Sequence, residues 1–316
     1  MPFDVRLLVI SLATFVAAGA AAASLVPWLS RRSAPASPHA HASALFRLRL
    51  LPISVALLAT IQGVASFVMF EPRGQDETFG RVLVGLALAA AGLLVLGSTR
   101  LAASALATRR ALRRWMATAE PFLLTGVNTP AYAIDSPFPV VAVVGVIRPR
   151  LIIARSVLSN CPAGELRAII SHEQRHIVQR DNLRRAVLVW LPDVLSLVPA
   201  GRKLIAMWHD AAEAVADDGA TELGPVGRVD LASALLRVAR LAPAGSPIVS
   251  LPASALYRGE DIGDRVRRLL SPPSPPLDTR LSGWRRTAMS TGLIVGGGMA
   301  LHAMHEIVEA AVSFLP

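Results

Sequence analysis

Apolar residues dominate the first hundred positions in blocks rather than in a periodic stripe. Residues 7–29, 50–70 and 82–97 are runs in which polar side chains are too sparse to give any helix a wet face. Runs of about 20 such residues match the hydrocarbon thickness of a bilayer. They predict three transmembrane helices, over about 7–29, 50–70 and 80–98, within a membrane region spanning 1–115. A fourth run, 287–304, is interrupted by Gly296, Gly297 and Gly298. Membrane helices tolerate glycine where neighbours pack closely, so residues 286–316 are predicted to form a C-terminal transmembrane helix. The first run also has the small residues of a cleavable leader at 20–24. Two further spans follow it, which favours a retained helix.

The pattern changes between these blocks. Residues 139–146 and 150–153 are rich in β-branched side chains, and Ile147, Arg148 and Pro149 lie between them, which predicts a hairpin. Next, Leu166, Ile169, Ile170 and Ile177 recur at helical spacing. Ser159, Asn160, Cys161 and Pro162 read as the start of that helix, and Arg180, Asp181 and Asn182 as its end. A second helical stretch carries Asp210, Glu213, Asp217 and Asp218. Residues 186–200 are apolar but short, and Pro192 and Asp193 break them. They form either a core helix or a segment that dips into the bilayer and returns. The fold class expected is therefore mainly α: transmembrane helices in several passes, with an α+β domain of a small hairpin or sheet and helices over 116–285.

Charge orients these blocks. Arg31, Arg32, Arg47 and Arg49 follow the first run with no acid among them, and Arg100, Arg109, Arg110, Arg113 and Arg114 follow the third. The segment after the second run carries Glu71, Asp76 and Glu77 against Arg73. By the positive-inside rule the first loop and residues 100–286 are cytoplasmic, and both termini are outside. The formal charge of +10 is then a matter of topology, and no direct nucleic-acid contact is implied, because the arginines flank membrane segments rather than line one helix. Hydrophobic residues make up 53% of the chain, too many for an ordinary soluble domain. The lipid bilayer is therefore an expected partner. The single cysteine, Cys161, excludes an intrachain disulfide and fits a reducing compartment.

The chemistry is concentrated at 172–176, where His172, Glu173, Gln174, Arg175 and His176 spell H-E-x-x-H. Histidines four apart on a helix share a face and can bind one metal ion, and the glutamate beside the first can deprotonate a water there. A hydrolytic zinc site takes a third protein ligand and keeps one position open. Glu213, 37 residues after His176, is the first candidate; His209 is its rival, and Asp217 a weaker one. Asp217 is also placed to orient a ligand histidine through its other ring nitrogen. Against this stands a plainer reading, in which the acids of 210–218 form a solvated face. His209, Tyr257 and Arg267 are candidate donors to a developing oxyanion, and the 139–153 hairpin either offers an edge to an extended substrate or only covers the core. His39 and His41 read as solvated residues of a Pro/Ala/Ser-rich linker.

The run SHEQRHIVQRDN at 171–182, followed by Glu213-x-x-x-Asp217, resembles the bacterial membrane metallopeptidases of the BlaR/MecR antirepressor type. It is more distantly similar to the CAAX-protease and HtpX-type membrane peptidases. GVIRPRLIIA at 145–154 is similar to the stretch those proteins place before the motif helix, and RVRRLL at 265–270 to the helix that closes their peptidase domain. The resemblance covers about residues 128–270. It implies a gluzincin-type Zn2+ site with ligands His172, His176 and Glu213 and catalytic Glu173, in the bacterial cytoplasmic membrane with its site on the cytoplasmic side. It also implies a protein substrate, a cytosolic or membrane-associated regulator such as a transcriptional repressor. The Ser-x-x-Lys nucleophile of the β-lactam-sensing members has no counterpart, since the single lysine, Lys203, follows Ala200 at that spacing. A non-catalytic membrane signalling or scaffold protein that retains the zinc-binding fold is the alternative. The intact Glu173 argues against it.

Overall fold

The computed structural model describes residues 2–32, 37–70, 80–124, 129–221, 223–242 and 262–271. The expected C-terminal span and Tyr257 lie outside these residues. Three helices open the chain: α1 (Phe3–Arg32), α2 (Pro38–Phe70) and α3 (Arg81–Met116). Each is long and apolar enough to cross a membrane. Leu8, Leu25, Leu57, Ile61, Met69, Leu88 and Val95 stand exposed on them, an apolar surface suited to lipid and unsuited to water.

All three helices outrun the apolar blocks that predict them. At 33 and 36 residues, α2 and α3 are about 50 Å long, well beyond a hydrocarbon core of about 30 Å. The surplus of α2 and α3 lies at one end of the bundle, where the start of α2 and the last turns of α3 pack on the rest of the protein. The beginning of α2, read from sequence as a loop, is helical through His39 and His41, and its Ala42 and Leu45 share a core with Leu204, Trp208 and Ala211. The end of α3 lays Leu112, Trp115 and Met116 on the sheet. Arg49, one of the arginines taken to mark the first loop, is fully buried within α2 and forms a two-pronged bond with Asp193, one prong at 3.0 Å. An unpaired charge in such a place would cost several kcal/mol, so the pairing is what permits it (of order 3–5 kcal/mol if one partner is removed).

The sheet follows: β1 (Glu120–Phe122), β2 (Ala131–Ile134), β3 (Val141–Val144) and β4 (Arg150–Ala154). Its spatial order is β1-β2-β4-β3, with β2 and β4 parallel and the other two pairs antiparallel. The expected hairpin is β3–β4, with Val141 opposite Ile153 and Val143 opposite Leu151. Val141, Val143, Leu151 and Ile153 face the main core, whereas Ala142, Val144 and Ile152 face the end of α3. Both faces are therefore dry, and the strands read as unbroken apolar runs rather than alternating ones.

Six helical segments complete the described chain: α4 (Arg155–Asn160), α5 (Ala163–Val178), α6 (Asp181–Trp190), α7 (Pro199–Thr221), α8 (Gly224–Leu241) and α9 (Ile262–Leu270). The expected start of the motif helix needs correction. Ser159 and Asn160 finish α4 by bonding back to its carbonyls, and α5 begins after Pro162 with no side-chain cap. The ambiguous run 186–200 does not cross anything. It ends α6 at Trp190, turns at Leu191 and Pro192, makes one 3-10 turn at Val194–Ser196 and starts α7.

That turn is wedged against α3. A Cβ built on Gly97 would sit 2.1 Å from the carbonyl oxygen of Trp190, whereas one on Gly92 of the same helix meets nothing. Gly97→Ala is therefore expected to destabilise the protein by about 1–3 kcal/mol as the two segments are forced apart, and Gly92→Ala by less than about 0.5 kcal/mol. Thermal unfolding in detergent reads the difference; equal melting temperatures would contradict the packing.

Candidate functional site

The motif helix α5 buries its functional face. His172 and His176 stand one turn apart with rings nearly perpendicular and centroids 4.9 Å apart. Across from them runs α7. The two helices cross closely because Gly219 leaves room for Ser171 and Arg175, and the Ser171 hydroxyl donates to the Gly219 carbonyl at 2.9 Å. The crossing brings Glu213 Oε2 to 3.5 Å from His172 Nε2 and Glu213 Oε1 to 3.5 Å from His176 Nε2. One ligand atom from each of the three residues lies within 4.8 Å of the others, a group able to hold a metal ion.

All three residues are buried, and His172 Nε2, His176 Nε2 and Glu213 Oε2 have no hydrogen-bond partner among the described residues. Orphaned polar atoms in an interior cost about 1–3 kcal/mol each. Three of them converging on one point is the arrangement that a cation would resolve. The solvated-face reading is thereby overturned for Glu213 and Asp217, which are 9% and 0% exposed.

Each outer ring nitrogen faces a carboxylate. His176 Nδ1 lies 2.7 Å from Asp181 Oδ2, and His172 Nδ1 lies 3.0 Å from Asp217 Oδ1. Asp217 is gripped in turn by Arg265, at 2.6 and 3.1 Å, and by Arg268. Arg265 also reaches Glu213 at 3.4 Å. Carboxylates placed behind ligand histidines fix ring orientation and tautomer. Burial alone would raise the Asp217 carboxyl, but Arg265 and His172 outweigh it and hold it down to about 2. For Glu213 burial pushes up as well, but His176, His172 and Arg265 prevail and the carboxyl ends well below the usual range. Burial would lower His172, yet its contacts with Asp217 and Glu213 prevail and hold it up to about 9.

Glu173 is placed differently. It points to the sheet, where the Val143 amide donates to its Oε2 at 3.1 Å. Burial raises its affinity for a proton, against the pull of His176 and His172. The same stretch of β3 is engaged from α6: the Asn182 side-chain amide donates to the carbonyls of Val143 and Gly145, each at 3.0 Å. So β3 is the sheet edge, as a substrate-pairing strand would be, but from Val143 to Gly145 side chains already occupy it.

Other expected residues fall elsewhere. His209 is half-buried beside Trp208 and is not part of the three-residue group. Arg267 is exposed and bonds Asp264 at 2.7 Å, so the α9 arginine at the site is Arg265. Cys161 is buried at the start of α5, with its thiol pushed up to about 11 by burial.

Sequence reasoning missed the functional contacts of Asp181, Asn182, Arg185 and Arg265. Asp181 and Arg185 are four apart on α6 and face the site together, with Arg185 3.4 Å from Glu213 Oε1. They get there because Arg180 adopts a left-handed backbone (φ 54°) and turns the chain back over α5. For Arg265 a signal existed: it shares the buried stripe of α9 with Ile262 and Leu269. An arginine inside an apolar stripe needs a buried acid.

No protein-family model matches the chain, and no curated protein matches it.

Detergent-purified protein is expected to hold one metal ion per chain by elemental analysis, and His172→Ala or Glu213→Ala to reduce that below about 0.1. Because His172 carries a proton below about 9, an incoming ion must displace it. Apparent metal affinity should therefore rise about tenfold per pH unit from 7 to 9 and level off above. Affinity flat across that interval would contradict the assignment.

Proposed function

We propose that this chain is an integral-membrane zinc endopeptidase of the BlaR/MecR antirepressor kind, with a gluzincin-type domain. The observation that carries the proposal is the convergence of three buried ligand atoms that make no hydrogen bond, beside the buried carboxylate of Glu173. Zinc bonds of about 2.0–2.1 Å in a tetrahedron require ligand atoms about 3.4 Å apart. Glu213 lies 3.5 Å from each imidazole through a different carboxylate oxygen, so a small turn of the carboxylate closes the three groups on one ion. Two histidines and one carboxylate leave a fourth position open, as a hydrolytic site needs. When bound, the ion supplies Lewis-acid polarisation of a carbonyl and a lowered pKa for water.

The protein's own groups do the rest. Glu173 takes the proton of the attacking water and returns it to the leaving amine, a role favoured by the proton affinity that burial confers. The Val143 amide steadies Oε2, which leaves Oε1 to carry the proton. Asp181 and Asp217 keep the two imidazoles in place, and Arg265 keeps Asp217 charged. The substrate proposed is a cytosolic or membrane-associated regulatory protein. The site faces the cytoplasm in this reading, because it stands at the end of the bundle that bears Arg47, Arg100, Arg109 and Arg113.

Glu173→Gln is expected to retain the metal and lose cleavage of an unstructured protein such as casein by at least about 100-fold. Peptide products followed by mass spectrometry, beside elemental analysis, read both arms. Undiminished cleavage in that variant would rule the mechanism out.

A further inference from the structure

Arg185 is a guanidinium with donors to spare beside the metal-binding group. Among the described residues its polar partner is Glu213, at 3.4 Å, which is a long bond, and its Nε is buried without any partner. Arg265 differs. Its Nε and Nη2 are spent on Asp217 and its Nη1 lies toward Glu213. The two arginines also sit on opposite sides of the group. On the His172–Asp217 side the side chains are 0% and 1% exposed. Exposure is low all round: His176 7%, Glu213 12% and Arg185 11% on one side, and Arg265 8% on the other. A carbonyl oxygen drawn to this group would meet in Arg185 a guanidinium whose Nε no other side chain has claimed.

We propose that Arg185 is a catalytic residue, the donor to the oxygen of the scissile carbonyl as that oxygen gains negative charge. This rests on the peptidase reading. As the water oxygen bonds to the carbonyl carbon, the carbonyl π pair moves onto its oxygen. When the C–N bond breaks, the pair returns and the amine leaves with the proton held by Glu173. Arg185 gives up no proton at any stage. It donates hydrogen bonds from a group that stays charged throughout, and such preplaced donors favour the transition state over the ground state. The site is built for the task from sequence: Asp181 and Arg185 are one turn apart on α6, so the turn that anchors His176 also aims the guanidinium.

A matched pair of probes tests the contact. N-phosphoryl-leucinamide offers charged tetrahedral oxygens to a neighbouring donor, whereas mercaptoacetyl-leucinamide binds a metal through sulfur and offers none there. Both are titrated into cobalt-loaded full-length protein in detergent and followed by the visible bands of the ion. Arg185→Met is expected to keep one cobalt per chain, to weaken the phosphoryl probe about 100-fold and to change the thiol probe by less than about threefold. Arg185→Lys should recover part of the loss. Equal phosphoryl binding by wild type and Arg185→Met overturns the proposal, as does a parallel loss of both probes, loss of cobalt in the variant, or a wild type that binds neither probe. The peptidase reading fails separately: wild type that binds both probes but cleaves no peptide bond sinks that reading and leaves the Arg185 contact standing.

Discussion

Two carboxylates, Glu213 and Asp217, are buried on one face of α7 and must be compensated there. A buried carboxylate with no counter-charge is costly enough to exhaust the stability of a typical domain. Much of the surrounding architecture answers that demand. The histidines of α5 meet α7 at the Gly219 crossing, α9 delivers Arg265 into the gap, and α6 delivers Arg185. Remove the acids and α9 would have no reason to bury an arginine; remove Arg265 and Asp217 loses the largest influence that holds its carboxyl low behind His172.

The same frame explains how the three long apolar helices and the site share one structure. The three helices do not stop at the bilayer dimension. The start of α2 packs on α7, the end of α3 roofs the sheet, and Arg49 pins α2 to the turn between α6 and α7. The element that carries Glu213 therefore begins at a turn touching α2 and α3. In the proposed enzyme this fixes the site close to the membrane face, within reach of membrane-associated regulators.

What could be read in the sequence was whatever a period or a spacing encodes. Helical spacing put His172 and His176 on one face and made α5 a buried helix, and β-branched runs announced the β3–β4 hairpin. Apolar blocks announced α1 to α3 but not their lengths, since the protruding turns of α2 and α3 are polar on one side and protein-covered on the other. β1 and β2 went unread because Glu120-Pro121-Phe122 and Ala131–Ile134 carry too few β-branched residues in too few positions. The supporting residues were illegible for a different reason. Asp181 reaches His176 across a chain reversal at Arg180, and Arg265 reaches Asp217 across 48 residues, and no local pattern records either meeting. The distance from His176 to Glu213 is no such pattern either. What singled out Glu213 was its residue type on a second helix, and the choice over His209 needed the crossing of α5 and α7.

Coordination of a metal by His172, His176 and Glu213 is tested most directly by X-ray absorption at the zinc edge on protein purified without added metal. The expected result is one zinc per chain with nitrogen and oxygen neighbours at about 2.0–2.1 Å, imidazole scattering from two histidines and no sulfur. A sulfur shell near about 2.3 Å, or no bound metal at all, would contradict it.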